Sequence, residues 1–434
     1  MFDNLKNFKN KTAIIYKNKS LTYLQLDRIT KKKIFKKNRL VLILADNNIE
    51  TLLLYISTIR SNSCVYLVDI NSDEDFLLKT LKLYNPEYVA VSKNKKFQNN
   101  SYKNYSDFKN YQIFKVKKET TYKIHKNLRI LLSTSGTTGS QKLAKISNKN
   151  ILSNTKSICK YLKLFNDCSI TTLPIFYSFG LSIINSHLYS GSKIILSNDT
   201  ILQKEFWNKI KVHKVTNFNC VPFFFEILKK IKFEKFELKS LKFITLAGGK
   251  LNIYDEKYFN DLLKSKKISF VKMYGSTEAS PRISYLNPKF NSKKIGSIGK
   301  AIPGGKLFII NNKNVMIKKP NVNGEICYKG PNVFMGYANS MQDLSTDNTP
   351  NYLKTGDIGF FDKDNYFFIT GRKKRFAKIF GLRLNLDDIE NMIKDLNFNN
   401  AVISNDSKLI IFLKSEDKKK SVNQILDKIK LNNF

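Results

Sequence analysis

Histidine and cysteine are scarce in this chain, and the few present are scattered. His125, His187 and His213 are its three histidines, and none of them falls at the short spacings by which imidazoles share a metal. The five cysteines, Cys64, Cys159, Cys168, Cys220 and Cys327, form no CxxC pair and no even framework. That excludes a zinc ribbon or a disulfide scaffold and predicts reduced thiols acting as small core residues in a cytoplasmic protein. The N-terminal stretch lacks the apolar segment of a secretory signal, and no apolar run, the Ser-rich stretch 170–184 included, is long enough to span a membrane. Acidic residues are also few: 35 Asp and Glu face 75 Lys and Arg, a formal net charge of +40. Gathered in a patch, such charge would suit a nucleic acid or an anionic membrane. The lysines are instead spread along the whole chain, with short clusters such as 31–33 and 418–420 and no aromatic-interleaved basic stripe. The charge is read as a compositional bias toward Lys, Asn and Ile. It implies no specific nucleic-acid partner, but leaves a general attraction for anionic substrates.

What is present is a foldable chain. Its 434 residues, 42% hydrophobic and 12% aromatic, are enough for two or more domains with substantial cores. Short apolar runs over 40–45, 64–68, 88–91, 193–196, 215–218 and 241–246 predict strands, with helices over 49–59 and 76–83 between the early ones. This alternation predicts α/β layers with largely parallel sheets. From about residue 296 the texture changes to strands near 306–310, 324–328 and 366–369 separated by Gly, Asn and Pro turns, which predicts a β-rich subdomain over about 296–370. A small α+β region over 371–434 follows the large domain of 1–370. In it, strands are expected at 377–380, 400–404 and 409–413, with helices over 386–396 and 421–429. No repeat or low-complexity linker interrupts the chain.

The sharpest local signal is at 131–142, where two leucines lead into Ser133, Thr134, Ser135, Gly136, Thr137, Thr138, Gly139, Ser140, Gln141 and Lys142. Glycines admit close backbone approach, N–H and hydroxyl groups donate, and Lys142 compensates phosphate charge, so the stretch is built to wrap a polyphosphate. It is not a P-loop, which needs Gly before the Lys and Ser or Thr after it; here Gln141 precedes Lys142 and Leu143 follows. A second signal, Tyr274, Gly275, Ser276, Thr277 and Glu278, follows the apolar strand expected over 268–273, at the strand end where α/β sites collect. Taken singly, each motif also fits an ordinary turn; their order along one chain does not.

Together these motifs resemble the AMP-forming adenylating superfamily, which includes acyl-CoA synthetases, aryl-CoA ligases and peptide-synthetase adenylation domains. The finer detail resembles a short bacterial acyl-CoA-synthetase-like branch. Further segments fall in the family's order. Leu173 to Leu181 resembles the stretch that sets an aromatic, here Tyr177 with Phe179, beside the acyl pocket; many relatives carry His at the position of Tyr177. Cys220, Val221 and Pro222 resemble the start of the helix leading into that pocket, to which Gly275 also contributes. Gly248 and Gly249 resemble the adenine-contacting turn, and Lys354, Thr355, Gly356 and Asp357 the ribose site. The resemblance implies that Thr134, Ser135, Gly136, Thr137, Thr138, Gly139 and Lys142 hold the phosphates of ATP, that Tyr274 stacks on adenine, that Thr277 bonds the α-phosphate, and that Glu278 holds Mg²⁺. Gly275 and Ser276 complete that turn. Arg372 would meet ribose or phosphate, Lys374 would be the hinge of the small domain, and Gly381 would line the tunnel for a thiol.

The resemblance therefore implies ATP-dependent activation of a small carboxylic acid as acyl-AMP with release of pyrophosphate. Lys142, Thr277 and Glu278 would be the catalytic residues, and the acyl group would pass to CoA or to the phosphopantetheine of an acyl carrier protein. The pattern departs from the family in one respect. Relatives end in a segment with a Gly-Lys pair whose lysine contacts the carboxylate and α-phosphate, and no such pair occurs between Gly381 and Phe434. Loss of a preorganised cation costs roughly two to three decades in rate. A slow first half-reaction is therefore expected, and a catalytically impaired protein that binds nucleotide or acyl-adenylate is the alternative.

Overall fold

The structure is a computed structural model and describes residues 1–118, 123–134, 142–372, 376–379, 382–394, 399–405 and 408–414. The strand Leu40–Ala45 is buried at all six positions, as expected of a parallel strand covered on both faces. It pairs in parallel with Cys64–Asp69 on one side and Tyr88–Ser92 on the other. These three strands are the centre of an eight-stranded sheet. The sheet continues through Leu128–Ser133, parallel to Cys64–Asp69, and then through Leu143–Ser147 and Tyr337–Ala338, both antiparallel. The helix Ile49–Arg60 is apolar nearly all round because it is buried from Ile49 to Ile59. It begins where Asn48 accepts a hydrogen bond from the Thr51 N–H, an N-cap that satisfies one of the helix's free donors.

The second sheet has thirteen strands. Its parallel centre runs in the spatial order Ser269–Gly275, Phe243–Leu246, Asn217–Cys220, Cys168–Ile170 and Lys193–Leu196. The strand predicted at 215–218 starts at Asn217 because the Val215 N–H is taken by the Ile210 carbonyl at the end of the preceding helix. The expected α/β layering is present, and the strands expected beyond residue 296 form at Lys306–Ile310, Gly324–Lys329 and Phe367–Arg372, the last running three residues past its predicted end. They do not make a sheet of their own. Ser297–Ala301 pairs with Arg282–Leu286 on one edge and Phe367–Arg372 on the other, carrying the large sheet on to Leu353–Phe361, Gly324–Lys329 and Lys306–Ile310. A core running from Phe2 and Leu5 to Phe367 joins residues of both sheets.

In the last described region, Phe376–Ile379 pairs with Leu382–Asn385, and Asn399–Asn405 with Lys408–Lys414. The helix Leu386–Lys394 lies between them in sequence, and Ile389, Ile393 and Val402 are buried together. The helix expected at 421–429 lies outside the described residues. No described helix is long and apolar enough to cross a membrane.

Candidate active site

Four parallel strands of the large sheet deliver their following loops to one edge. Cys168–Ile170 leads to Tyr177, Asn217–Cys220 to Val221, Phe243–Leu246 to Gly248, and Ser269–Gly275 to Ser276 and Thr277. Gly248 has a φ of +86°, and a Cβ built on it would lie 3.2 Å from Val221 Cγ1 and 3.5 Å from the Tyr177 hydroxyl. Three motif segments thus meet closely at a position whose positive φ favours glycine. Thr277 lies beside the helix that begins at Ser178, their hydroxyls 3.2 Å apart.

The loop after Leu128–Ser133 is closed at its base. Ser133 pairs with Leu143, and the Thr134 hydroxyl donates to the Lys142 carbonyl at 3.0 Å. Ser135, Gly136, Thr137, Thr138 and Gly139 lie outside the described residues, as do Lys374 and Gly381. Lys142 sends its ammonium over the ring of Tyr337, 3.7 Å from the centroid, and the Tyr337 hydroxyl donates to Glu278 Oε1 at 2.9 Å. Tyr337 therefore ties Lys142, at the base of the loop, to the carboxylate of the second motif.

Sequence reasoning missed Tyr337, because it sits in a two-residue strand at a sheet edge and no chemical pattern surrounds it. Its place is set by pairing with Ala144. It is also set by Lys145, which is buried and donates to the carbonyls of Asp343 and Thr346 at 2.8 and 2.9 Å and to the Thr346 hydroxyl at 2.8 Å. Burial pushes the Lys145 ammonium below its ordinary range, and these oxygens offset part of that cost.

A second cluster is built on the pairing of Asp357 with Arg372 across Leu353–Phe361 and Phe367–Arg372. The Asp357 carboxylate is buried, with Oδ1 2.6 Å from Arg372 Nε and Oδ2 receiving the Tyr274 hydroxyl at 2.5 Å. Burial, and next the adjacent carboxylate, hold the Tyr274 phenol well above its usual value, so it is a donor at every physiological pH. A carboxylate has about four lone-pair positions. The two contacts leave room for further donors, such as a diol.

The remaining predicted residues divide. Phe179 is buried in one cluster with Val221 and, at its margin, Tyr177. Cys220, expected at the acyl pocket, lies instead in the separate cluster of Phe206, Phe218 and Phe225, because successive strand residues face opposite sides of a sheet. Burial drives its thiol far above the reactive range. Gly275 is required by the return strand: an added Cβ would lie 1.8 Å from the Pro281 carbonyl oxygen. Gly249 faces Pro222 in the same way, at 2.6 Å from Cγ. Arg282, which the motif reading passed over, is buried with its guanidinium 4.1 Å from the centre of the Phe179 ring. His187, also buried, spends both ring nitrogens on the Ile183 carbonyl and the Asn217 amide, as a core histidine does. A separate cleft of about 450 Å³ between Leu21, Ile49 and Lys109 contains none of the motif residues. Among the described residues no group of three or more His, Cys, Asp or Glu is placed to hold a metal, so a cation here would take Glu278 and borrow its other oxygens from substrate.

Comparison with known proteins agrees with this geometry. The chain is 29% identical over 266 residues to indoleacetate–CoA ligase of Aromatoleum aromaticum, covering 61% of this chain and 51% of that protein. It is 30% identical over 339 residues to a probable 4-coumarate–CoA ligase 1 of Dictyostelium discoideum, covering 76% and 58%. The chain thus spans about half the length of the curated relatives it matches. In fold it is similar to the o-succinylbenzoate CoA synthetase of Bacillus subtilis solved in complex with ATP and magnesium ion. The TM-score is 0.71 at 19% identity over 97% of this chain and 92% of that one. The family described as AMP-binding enzyme matches residues 1–338, which contain both the motif at 131–142 and the Tyr274–Glu278 turn, and the chain belongs to that family.

Proposed function

We propose that the chain activates a carboxylic acid with ATP, forming acyl-AMP and pyrophosphate, and then passes the acyl group to a thiol. The observation that carries this reading is the link from Lys142 through Tyr337, at the edge of the eight-stranded sheet, to Glu278, which stands beside Thr277 just after the strand of the large sheet that carries Tyr274 to the Asp357–Arg372 pair. A cation and a carboxylate held one aromatic ring apart suit a polyphosphate and its metal at the same time. The carboxylate oxygen of the acid attacks the α-phosphorus, the bond to the bridging oxygen breaks, and pyrophosphate leaves with the electron pair. Lys142 and the donors of the loop at 134–139 offset the charge gathering on the leaving group. Thr277 orients the α-phosphate. Asp357 accepts from the ribose hydroxyls, with Arg372 orienting its carboxylate, and Tyr274 lies against the base. Bound Mg²⁺ supplies charge neutralisation at the phosphates, and Glu278 is the residue that would hold it.

Tyr177, Phe179 and Val221 form the wall of the acyl side, bordered by the glycine turn at Gly248. The second half-reaction expels AMP as the thiol sulfur attacks the acyl carbon. CoA is the acceptor we favour, since the relatives named above are CoA ligases; a phosphopantetheinyl carrier protein is the competing acceptor. The division of the chain near residue 370 into a large and a small unit, the hinge at Lys374 and the thiol tunnel at Gly381 belong to this proposal, as does a cytoplasmic setting suited to five free cysteines. Acid-dependent ATP–pyrophosphate exchange over a broad panel of carboxylic acids is the test. Exchange with at least one class of acid, lost in Glu278→Gln, is expected; no exchange with any acid would overturn the reading. Supplying CoA or a carrier protein to the positive acid then identifies the acceptor.

A further inference from the structure

We infer that Arg282 is a specificity-determining residue that reads a second anionic group, a distal carboxylate, on the acid this site activates. The inference rests on the ligase reading of the site. Arg282 is 3% exposed and lies against Phe179 of the acyl wall, with Tyr161 and Tyr177 facing it. Its guanidinium lies over the Phe179 ring, and Nε has no hydrogen-bond partner. Among the described residues no carboxylate pairs with it; it donates a hydrogen bond to the Tyr161 hydroxyl, and the Tyr177 hydroxyl faces it. Burial pushes the guanidinium below its ordinary value and those hydroxyls return only part of the loss.

A cation–π contact and one hydroxyl acceptor compensate some desolvation of a buried arginine, but leave its Nε without an acceptor and its charge without an anion. Protein interiors rarely retain such a cation without a counter-charge. The side chain is not needed to hold its own strand. The Arg282 carbonyl already accepts the amides of Asn154 and Asn332, at 3.1 and 2.8 Å, and these bonds are independent of residue type.

The position also favours a substrate role. Arg282 pairs with Gly275 across the hairpin that carries Thr277 and Glu278. The Phe179 it covers is two residues beyond Tyr177, whose hydroxyl borders the Gly248 turn. In the proposed reaction the acid's first carboxylate is consumed at the α-phosphorus, so it does not serve Arg282. A second carboxylate at the far end of the acyl group matches the fork bidentately. A site with a buried polar group set for such a partner rejects the analogue that lacks it.

The test uses paired acyl-sulfamoyl adenosines, stable mimics of the acyl-adenylate, that differ only in a distal carboxylate or its uncharged carboxamide. Binding is measured by calorimetry on the full chain and on Arg282→Met and Arg282→Lys. The wild type is expected to bind the distal acid about tenfold or more tightly than the amide. That ratio should fall to about one in Arg282→Met and be partly kept in Arg282→Lys. A wild-type ratio near one, or a preference that survives in a folded Arg282→Met, overturns the inference and leaves the ligase reading standing. If neither analogue binds, both fall. Should Arg282→Met fail to fold, the wild-type ratio alone decides.

Discussion

At the scale of single residues, Tyr337 shows how one aromatic can serve two charges at once. Its ring face meets the Lys142 ammonium and its hydroxyl bonds Glu278, so the lysine is held near the carboxylate without the two neutralising each other directly. Tyr337→Phe keeps the ring and removes the hydroxyl. A lost hydrogen bond to a charged group costs about 1.5–3 kcal/mol, so kcat/KM for ATP in pyrophosphate exchange is expected to fall roughly 10- to 150-fold. An unchanged kcat/KM would show that Glu278 is oriented by other contacts. The legible and illegible parts of the site divide at this scale. Lys142, Thr277, Glu278, Asp357 and Arg372 stand in runs of glycine, hydroxyl and charge that have few other uses. Tyr337, Ser178 and Arg282 lie in stretches that read as ordinary strand or helix ends, and their proximity to the motifs arises only on folding.

At the scale of elements, the hairpin of Ser269–Gly275 and Arg282–Leu286 sets the geometry of the Tyr274–Glu278 turn. The Pro281 carbonyl approaches Gly275 so closely that an added Cβ would lie 1.8 Å away, against backbone on the opposite side. Backbone does not yield as a flexible side-chain tip does. Gly275→Ala is therefore expected to destabilise the protein by about 2–4 kcal/mol, read as a lower urea midpoint with an unchanged slope. A midpoint within error of the wild type would mean that the hairpin shifts freely, and that the glycine serves ligand binding alone. The same element explains a difference from the sequence reading. Gly275 was expected to border the acyl pocket by resemblance; in the fold its missing side chain is demanded by strand packing, whatever else it borders.

At the scale of the whole molecule, the net charge of +40 surrounds a site proposed to bind a polyanion. A field of this size raises the local concentration of ATP and fades as salt shortens the screening length. KM for ATP is expected to rise about three- to tenfold as ionic strength goes from roughly 50 to 300 mM, with kcat little changed. A flat KM would leave the charge without a part in substrate capture, as compositional bias alone would have it. The architecture was more legible than the site. Strands over 40–45, 193–196 and 306–310 could be placed exactly because buried strands are unbroken apolar runs between turns. That the strands beyond 296 extend the large sheet was not visible, since edge-to-edge pairing depends on register between distant segments.

By itself the sequence determined the layered α/β class and the order of the nucleotide-handling motifs, because hydrophobic period and glycine–hydroxyl–charge runs are local properties of the chain. Only the tertiary structure decided which side chains stand together. It put Tyr337 between Lys142 and Glu278, sent Cys220 to the opposite face from Val221, and left Arg282 buried in the aromatic wall with no carboxylate beside it among the described residues. Those placements follow from strand register and sheet order, which join residues far apart in sequence and which no local pattern encodes.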